Sequence, residues 1–270
     1  MGRLYVVGTP IGNLEDVTLR ALRILREASL IAAEDTRRAR ILTSHYEIDT
    51  PTTSYFEGNK LTKLDAILGA LAEGDVALIS DAGMPGLSDP GYELIRIAVE
   101  RGYDVVPVPG PTAPLTALVV SGLPTDAFLF LGYLPRRETR RRRLLDSVAR
   151  VPYTIVAFET PHRLLDSLLD VRESLGDRPL ALCREMTKLH EEVWRGTVSE
   201  AQAAFAEREA RGEFTLVIGG ASQQESRWNE EEVRAALRDL LAKGVRRPDA
   251  AKRVAELSGW ARSAVYRLSL

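Results

Sequence analysis

Cysteine, histidine and long apolar runs are what this 270-residue chain has least of: one cysteine and three histidines. A lone thiol, Cys183, closes no internal disulfide, and its place in the apolar run "LALC" marks a buried strand residue rather than a nucleophile. No cysteine and histidine cluster has zinc-ligand spacing, so no metal is expected. No apolar stretch approaches the ~18 residues of a membrane-spanning helix, so no membrane partner is expected. The opening "MGRLYVVG" is too short and too broken by glycine for a signal peptide, and the expected location is the cytoplasm. Aromatic residues make up only 6%, but 45% hydrophobic and 27% charged residues are the proportions of a soluble globular protein. At this length roughly three quarters of the chain's surface can be buried.

A net charge of −2 conceals an uneven distribution. Six of the eight residues in "RRETRRRR" (136–143) are arginine, and from Lys243 onward seven Lys/Arg face two Asp/Glu. Such a run is either a solvated face at a helix start or a phosphate-binding surface.

Apolar strand-like runs alternate with helical patterns. "LYVVG" leads to "TLRALRILREA", "LIAA" to "TRRARILTS", "TTSYF" to "LTKLDAILGALAEG", "DVALIS" to "GYELIRIAVERG" and "DVVPVPG" to "TAPLTALVVSG". Five strands each followed by a helix predict a parallel sheet covered on both faces. A second series starts near Phe128: "FLFLGYLP", "YTIVAFE", "PLALCRE" and "EFTLVIGG" with helical patterns between them, and hairpin elements near Val193–Thr197 make this sheet mixed. "ASQQESRWN" (221–229) reads as a linker, and the remainder as three short helices broken at Gly244 and Gly259. The expected class is therefore α/β, with lobes at 1–118 and 119–222 and a basic helical module at 228–270.

Ligands of open parallel sheets bind outside the carboxyl ends of the strands. "GTPIGN" (8–13), "EDTR" (34–37), "SDAGMPGLSDPG" (80–91) and "PGPTA" (109–113) all fall there. None matches a nucleotide triphosphatase loop or GxGxxG. The glycines of Ser80–Gly91 let the backbone approach a flat ligand, and its prolines fix that shape in advance. Asp81 is placed either to accept hydrogen bonds from a ligand's hydroxyls or amine, or to serve as a turn residue. Asp89, before Pro90, fits a helix cap.

Taken in order, "LYVVGTPIGNLEDVTLRAL", "AEDTR", "LISDAGMPGLSDPG", "VVPVPGPTA", "GYLPR" and "FETPHR" resemble the ribosomal RNA methyltransferase branch of the tetrapyrrole methylase family, over about residues 3 to 220. The resemblance implies a fold of two α/β lobes of the tetrapyrrole methylase type, a homodimer, and S-adenosylmethionine as cofactor. It also implies methylation of a cytidine 2′-hydroxyl in the 16S rRNA of the small ribosomal subunit, near the decoding site. Carried over by motif, cofactor contacts fall at Pro10, Asp81, Gly83, Met84, Thr112 and Ala113, and further along at Phe158, Arg184 and Phe214. Small-molecule members typically have a shorter "GDP" form where this chain has "SDAGMPGLSDPG". A tetrapyrrole-type methyltransferase and a non-catalytic rRNA-binding assembly factor stay open as alternatives.

A ribose hydroxyl needs a base within reach. Glu34 or Asp35 can take that role with Arg37 on phosphate, or Asp35 can cap the following helix and Arg37 make a surface ion pair. Arg184, Glu185 and Lys188 in "CREMTKLHEE" form a second charged group at a strand end. His162 sits in a first helical turn after Thr160-Pro161, His45 and His190 read as surface residues, and Tyr133 either stacks on an RNA base or packs into the core. The basic module at 228–270 either binds rRNA phosphates or caps the fold.

Overall fold

The computed structural model describes residues 2–208, 210–222 and 228–268. The chain divides into two compact units: Met1–Ser121 with Leu182–Trp194 and Gly212–Thr215, and Gly122–Ala181 with Arg195–Arg211 and Leu216–Leu270.

The first unit holds strands β1 (Leu4–Val7), β2 (Leu30–Ala33), β3 (Thr52–Ser54), β4 (Val76–Ile79) and β5 (Val105–Val108). They lie in the order β3-β2-β4-β1-β5 with every pairing parallel. Five helices follow them: α1 (Leu19–Glu27), α2 (Thr36–His45), α3 (Lys60–Glu73), α4 (Tyr92–Glu100) and α5 (Ala113–Ser121). Because successive strand side chains point to opposite faces, the apolar runs split between two cores. Tyr5, Val7, Ile31, Ala33, Ala77 and Ile79 pack against Leu22 and Leu25 of α1 and Leu42 of α2. Leu4, Ala32, Val76 and Leu78 pack against Ile67 and Leu71 of α3 and Leu94 of α4. This two-faced burial is why the strands read as continuous apolar runs rather than alternating ones.

A second, mixed sheet has the order β6-β7-β10-β8-β9, with β6 (Phe128–Tyr133) parallel to β7 (Thr154–Glu159). Its other strands are β8 (Pro179–Arg184), β9 (Glu192–Thr197) and β10 (Phe214–Ile218), and its helices are α6 (Glu138–Ser147), α7 (Leu164–Leu175) and α8 (Val198–Ala206). The stretch Glu192–Thr197 is a full strand. Helix α8 begins only at Val198, where Thr197 and Glu200 form a reciprocal capping box. Cys183 is buried.

The carboxyl-terminal module has its own core, Val233, Leu237, Ala250, Ala251, Val254 and Val265, with Trp228 and Trp260 packed against it. Its helices α9 (Glu230–Ala242), α10 (Arg247–Ser258) and α11 (Arg262–Leu268) break at Gly244 and Gly259, as the sequence predicts. Of the expected linker at 221–229, residues 223–227 lie outside the described part, as do the module's last two residues.

Candidate active site at the strand ends of the first sheet

Three loops of the first unit are locked together by backbone. Thr9 and Gly83 exchange two hydrogen bonds, Thr9 N–H to Gly83 O at 2.9 Å and Gly83 N–H to Thr9 O at 3.0 Å. Gly83 does so at φ +78°, a conformation that glycine alone adopts without strain. Gly8 lies so close to Gly110 that a Cβ on it would sit 2.8 Å from the Gly110 Cα and 2.9 Å from the Met84 Sδ. The loops after β1, β4 and β5 therefore form one preset edge, and the stiffness of Ser80–Gly91 is used to hold it.

Beside that edge, carboxylates from β2 and β4 bind each other's backbone. The Asp81 Oδ1 accepts from the Asp35 N–H at 3.0 Å, and the Glu34 Oε2 accepts from the Asp81 N–H at 3.3 Å. Arg38 Nε lies 3.5 Å from the Asp81 Oδ2. Asp35 is the N-cap of α2: it accepts from the Arg37 N–H at 2.8 Å and pairs with the Arg37 guanidinium at 2.7 Å. Those bonds from Arg37 hold its carboxyl down at about 2. Glu34 moves the opposite way. Burial raises its pKa against the pull of the Asp81 N–H, with the Asp81 carboxylate adding to the rise. Neighbouring carboxylates in consecutive positions are thereby driven apart, the environment-driven separation that assigns acid and base roles.

Asp89 corrects an expectation. Helix α4 begins at Tyr92 with Gly91 as N-cap and no side-chain capping bond, so Asp89 caps nothing. Its carboxyl is pushed up to about 7 by burial and by the Glu34, Asp81 and Glu213 carboxylates, opposed by a hydrogen bond from Ser80.

A cavity of about 280 Å³ opens here, with Pro10, Ile11, Leu42 and Ile79 as apolar wall and Asp81, Arg38, Lys188 and Glu213 as polar groups. Lys188 donates to Glu185 at 3.0 Å and to Glu213 at 3.1 Å. Partial burial lowers the Lys188 pKa, but these two partners outweigh it and leave it raised. The loop that carries Lys188 holds Glu185 at φ +48° and Thr187 at φ +66°, left-handed conformations that persist only where surrounding structure imposes them. Gly12 provides the room: a Cβ there would fall 2.5 Å from the Lys188 Cγ.

The structure thus brings Pro10, Glu34, Asp35, Asp81, Gly83, Met84, Glu185 and Lys188 into one neighbourhood of the first unit. Ala113 opens α5 after Thr112, whose carbonyl accepts from the Thr116 N–H at 3.0 Å. Arg184 pairs with Glu192 at 2.8 Å, and the Phe214 side chain is buried in the core. Phe158 lies in the second unit, its ring 5.2 Å from those of Phe130 and Tyr133. Arg37 is exposed and does not line the cavity; its guanidinium is spent on Asp35. Sequence reasoning passed over Arg38, which directly follows "EDTR", and Glu213, which opens "EFTLVIGG". Among the described residues no cluster of His, Cys, Asp and Glu could hold a metal ion.

Residues 3–202 match the model of the tetrapyrrole (corrin/porphyrin) methylases. The chain belongs to the tetrapyrrole methylase family. It is 46% identical over its whole length to the ribosomal RNA small subunit methyltransferase I of Synechocystis sp., 98% of which is covered. It is 51% identical to the protein of that name from Thermotoga maritima, with 82% of this chain and 99% of the relative aligned. Among solved structures it resembles uroporphyrin III C-methyltransferase from Thermus thermophilus (TM-score 0.57, 23% identity, 81% of this chain and 97% of that one). It also resembles a cobalt precorrin-4 methyltransferase (TM-score 0.60, 17% identity, 80% and 94%). At these identities the structures share the fold, which is the two-lobe α/β class expected from the sequence.

Proposed function

We propose that this protein is a methyltransferase that uses S-adenosylmethionine to methylate a cytidine 2′-hydroxyl in the 16S rRNA of the small ribosomal subunit, near the decoding site. The observation that carries this reading is the degree of the similarity. The relative named for ribosomal RNA matches 100% of this chain at 46% identity, whereas the uroporphyrin enzyme matches 81% at 23%. The relative of the same name from Thermotoga maritima is 51% identical across 82% of this chain, so identity to the rRNA enzymes is about twice that to the uroporphyrin enzyme over a similar share of the chain, which favours RNA over a tetrapyrrole substrate.

The residues present suit the cofactor. S-adenosylmethionine carries two positive centres, and the site offers the carboxylates of Glu34, Asp35 and Asp81 together with a backbone edge at Gly8 and Gly110 that a Cβ would fill. Pro10, Asp81, Gly83, Met84, Thr112 and Ala113 would hold it, with Phe158, Arg184 and Phe214 carried over by the family resemblance. When bound, it supplies an electrophilic methyl group on a sulfonium.

The protein's own part is to align the acceptor hydroxyl, exclude water and take a proton. Glu34 is the better base of the adjacent pair, since burial raises its proton affinity while Arg37 depresses that of Asp35. Arg38 and Lys188, on the cavity wall, are placed for phosphate or ribose oxygens. Glu185 positions Lys188 through their 3.0 Å bond. Among the described residues no helix is long and apolar enough to cross a membrane; the cytoplasm, where ribosomal subunits are modified, is the location this reading implies. A homodimer belongs to this reading because the family resemblance implies it.

The test uses the purified protein, methyl-labelled S-adenosylmethionine and small subunits lacking their native modifications. Label on one cytidine ribose of 16S rRNA is the expected result. Cofactor binding without label on RNA would move the assignment to a small-molecule substrate, and RNA binding with no turnover would favour an assembly factor.

A further inference from the structure

The arginine run at 136–143 is divided in two by its surroundings. Arg141 is 4% exposed and directs both Nε and Nη2 onto the Asp170 Oδ2 at 2.6 Å, with Asp170 itself 2% exposed. Arg142 takes the other oxygen of Asp170 at 2.7 Å, and also pairs with Glu138 and Glu173. These two are structural. Arg136, Arg137, Arg140 and Arg143 are exposed, and none of them makes an ion pair among the described residues. Helix stability does not account for three of the outer four. Cations near a helix N-terminus oppose the helix dipole, and Arg136, Arg137 and Arg140 all lie at or before the first turn of α6.

The inner arginines also fix the backbone that presents the outer ones. Arg141 Nη1 donates to the carbonyls of Pro135 at 3.4 Å and Arg136 at 3.5 Å, and Arg163 Nη1 donates to the Leu134 carbonyl at 3.1 Å. Just before this held segment stands Tyr133, 50% exposed, with its ring 5.2 Å from that of Phe158.

We propose that Arg136, Arg137, Arg140 and Arg143, with Tyr133, form a rigid docking surface for single-stranded RNA, the arginines on successive phosphates and the tyrosine ring beneath a base. This rests on the RNA reading above and adds where the RNA is held. Arginines in a row beside an exposed aromatic face are the combination that binds unpaired strands by charge and stacking.

The test changes Arg136, Arg137, Arg140 and Arg143 together to Gln, leaving Arg141, Arg142 and Asp170 intact. Binding of a 20-nucleotide single-stranded RNA is followed across a salt series, alongside S-adenosylmethionine affinity, melting temperature and methylation of unmodified small subunits. Loss of four phosphate contacts should reduce the slope of log affinity against log salt by about 3 and weaken binding about 10- to 100-fold at low salt, with cofactor affinity and melting unchanged. Tyr133→Ala should weaken RNA binding about tenfold, and Tyr133→Phe should retain it. A quadruple variant with the parent's affinity and salt slope, while the parent methylates subunits, would overturn this surface and leave the proposed activity standing. A parent that neither binds nor methylates RNA would overturn both, and binding to anionic lipid vesicles in place of RNA would reassign the patch to a membrane.

Discussion

Carboxylates crowd the strand ends of the first unit and arginines line the start of α6 in the second, and the two groups handle like charge in opposite ways. In the first unit the carboxylates of Glu34, Asp35, Asp81 and Asp89 lie close together and are accommodated in three ways. Asp35 is neutralised by Arg37, Asp81 takes a backbone N–H and lies near Arg38, and Glu34 and Asp89 hold protons more tightly than usual. In the second unit the repulsion is relieved by division: Arg141 and Arg142 turn inward onto Asp170 while their neighbours point to water. Crowded charge that stays partly buried tunes proton affinity, which suits chemistry. Crowded charge that stays exposed retains its full field, which suits capture of a polyanion.

The largest effect should come from breaking the division of the arginines. Asp170→Ala leaves Arg141 buried without its partner, and stripping one member of a buried pair costs about 3–5 kcal/mol. Thermal denaturation should show a melting point lower by about 6–20 °C, at about 2–4 °C for each kcal/mol in a chain of this size. A shift of only a degree or two would mean that the Arg141–Asp170 pair does not anchor α6 to α7.

Next in size is the split between the adjacent carboxylates. Glu34→Gln keeps an oxygen for the Asp81 N–H but removes the proposed base, so kcat should fall about 100-fold with little change in KM. Asp35→Asn, which preserves a capping side chain, should change kcat by less than about threefold. If the two variants behaved alike, the pKa separation would have no catalytic meaning. Smaller again is Asp81→Ala, which should weaken S-adenosylmethionine binding about 10- to 100-fold by calorimetry, the range for a charged hydrogen-bond partner, while the protein stays folded.

Much of this architecture is legible in the chain itself because its causes are local. Apolar runs such as "VALI" and the helical spacing after them give the parallel sheet, and Asp35 reads as a cap because "DTR" is a local signal. Pairings across distance are not legible. That Arg141 is buried depends on Asp170, 29 residues away, and in sequence it is indistinguishable from Arg140 and Arg143. Asp89 misleads for the same reason. Asp-Pro before a helical pattern signals a cap, but Gly91 at φ +144° starts the helix instead, and Asp89 is left facing carboxylates contributed by β2 and β4. Arg38 and Glu213 went unnoticed because only the fold brings the start of α2 and the start of β10 to the cavity wall.

Asp89 also yields the subtlest expected effect, one seen in a pH dependence. Its folded pKa, about 7, lies above the usual 3.8, so the folded state keeps a proton that the unfolded chain releases. Stability contributed by that proton is fully present below about pH 4, declines as pH rises toward 7, and is gone above it. Asp89→Asn holds the neutral form at every pH. The variant should therefore lose less stability than the parent between pH 5 and 8, so that its melting temperature gains a few degrees on the parent's across that range. Because Asp89 is already uncharged below about pH 7, the same substitution should leave the acidic limb of the pH–rate profile where it is in the parent. Parallel melting curves for parent and variant across that range would show that Asp89 is ionised like an ordinary surface aspartate, and the acidic cluster would then reduce to Glu34 and Asp81 alone.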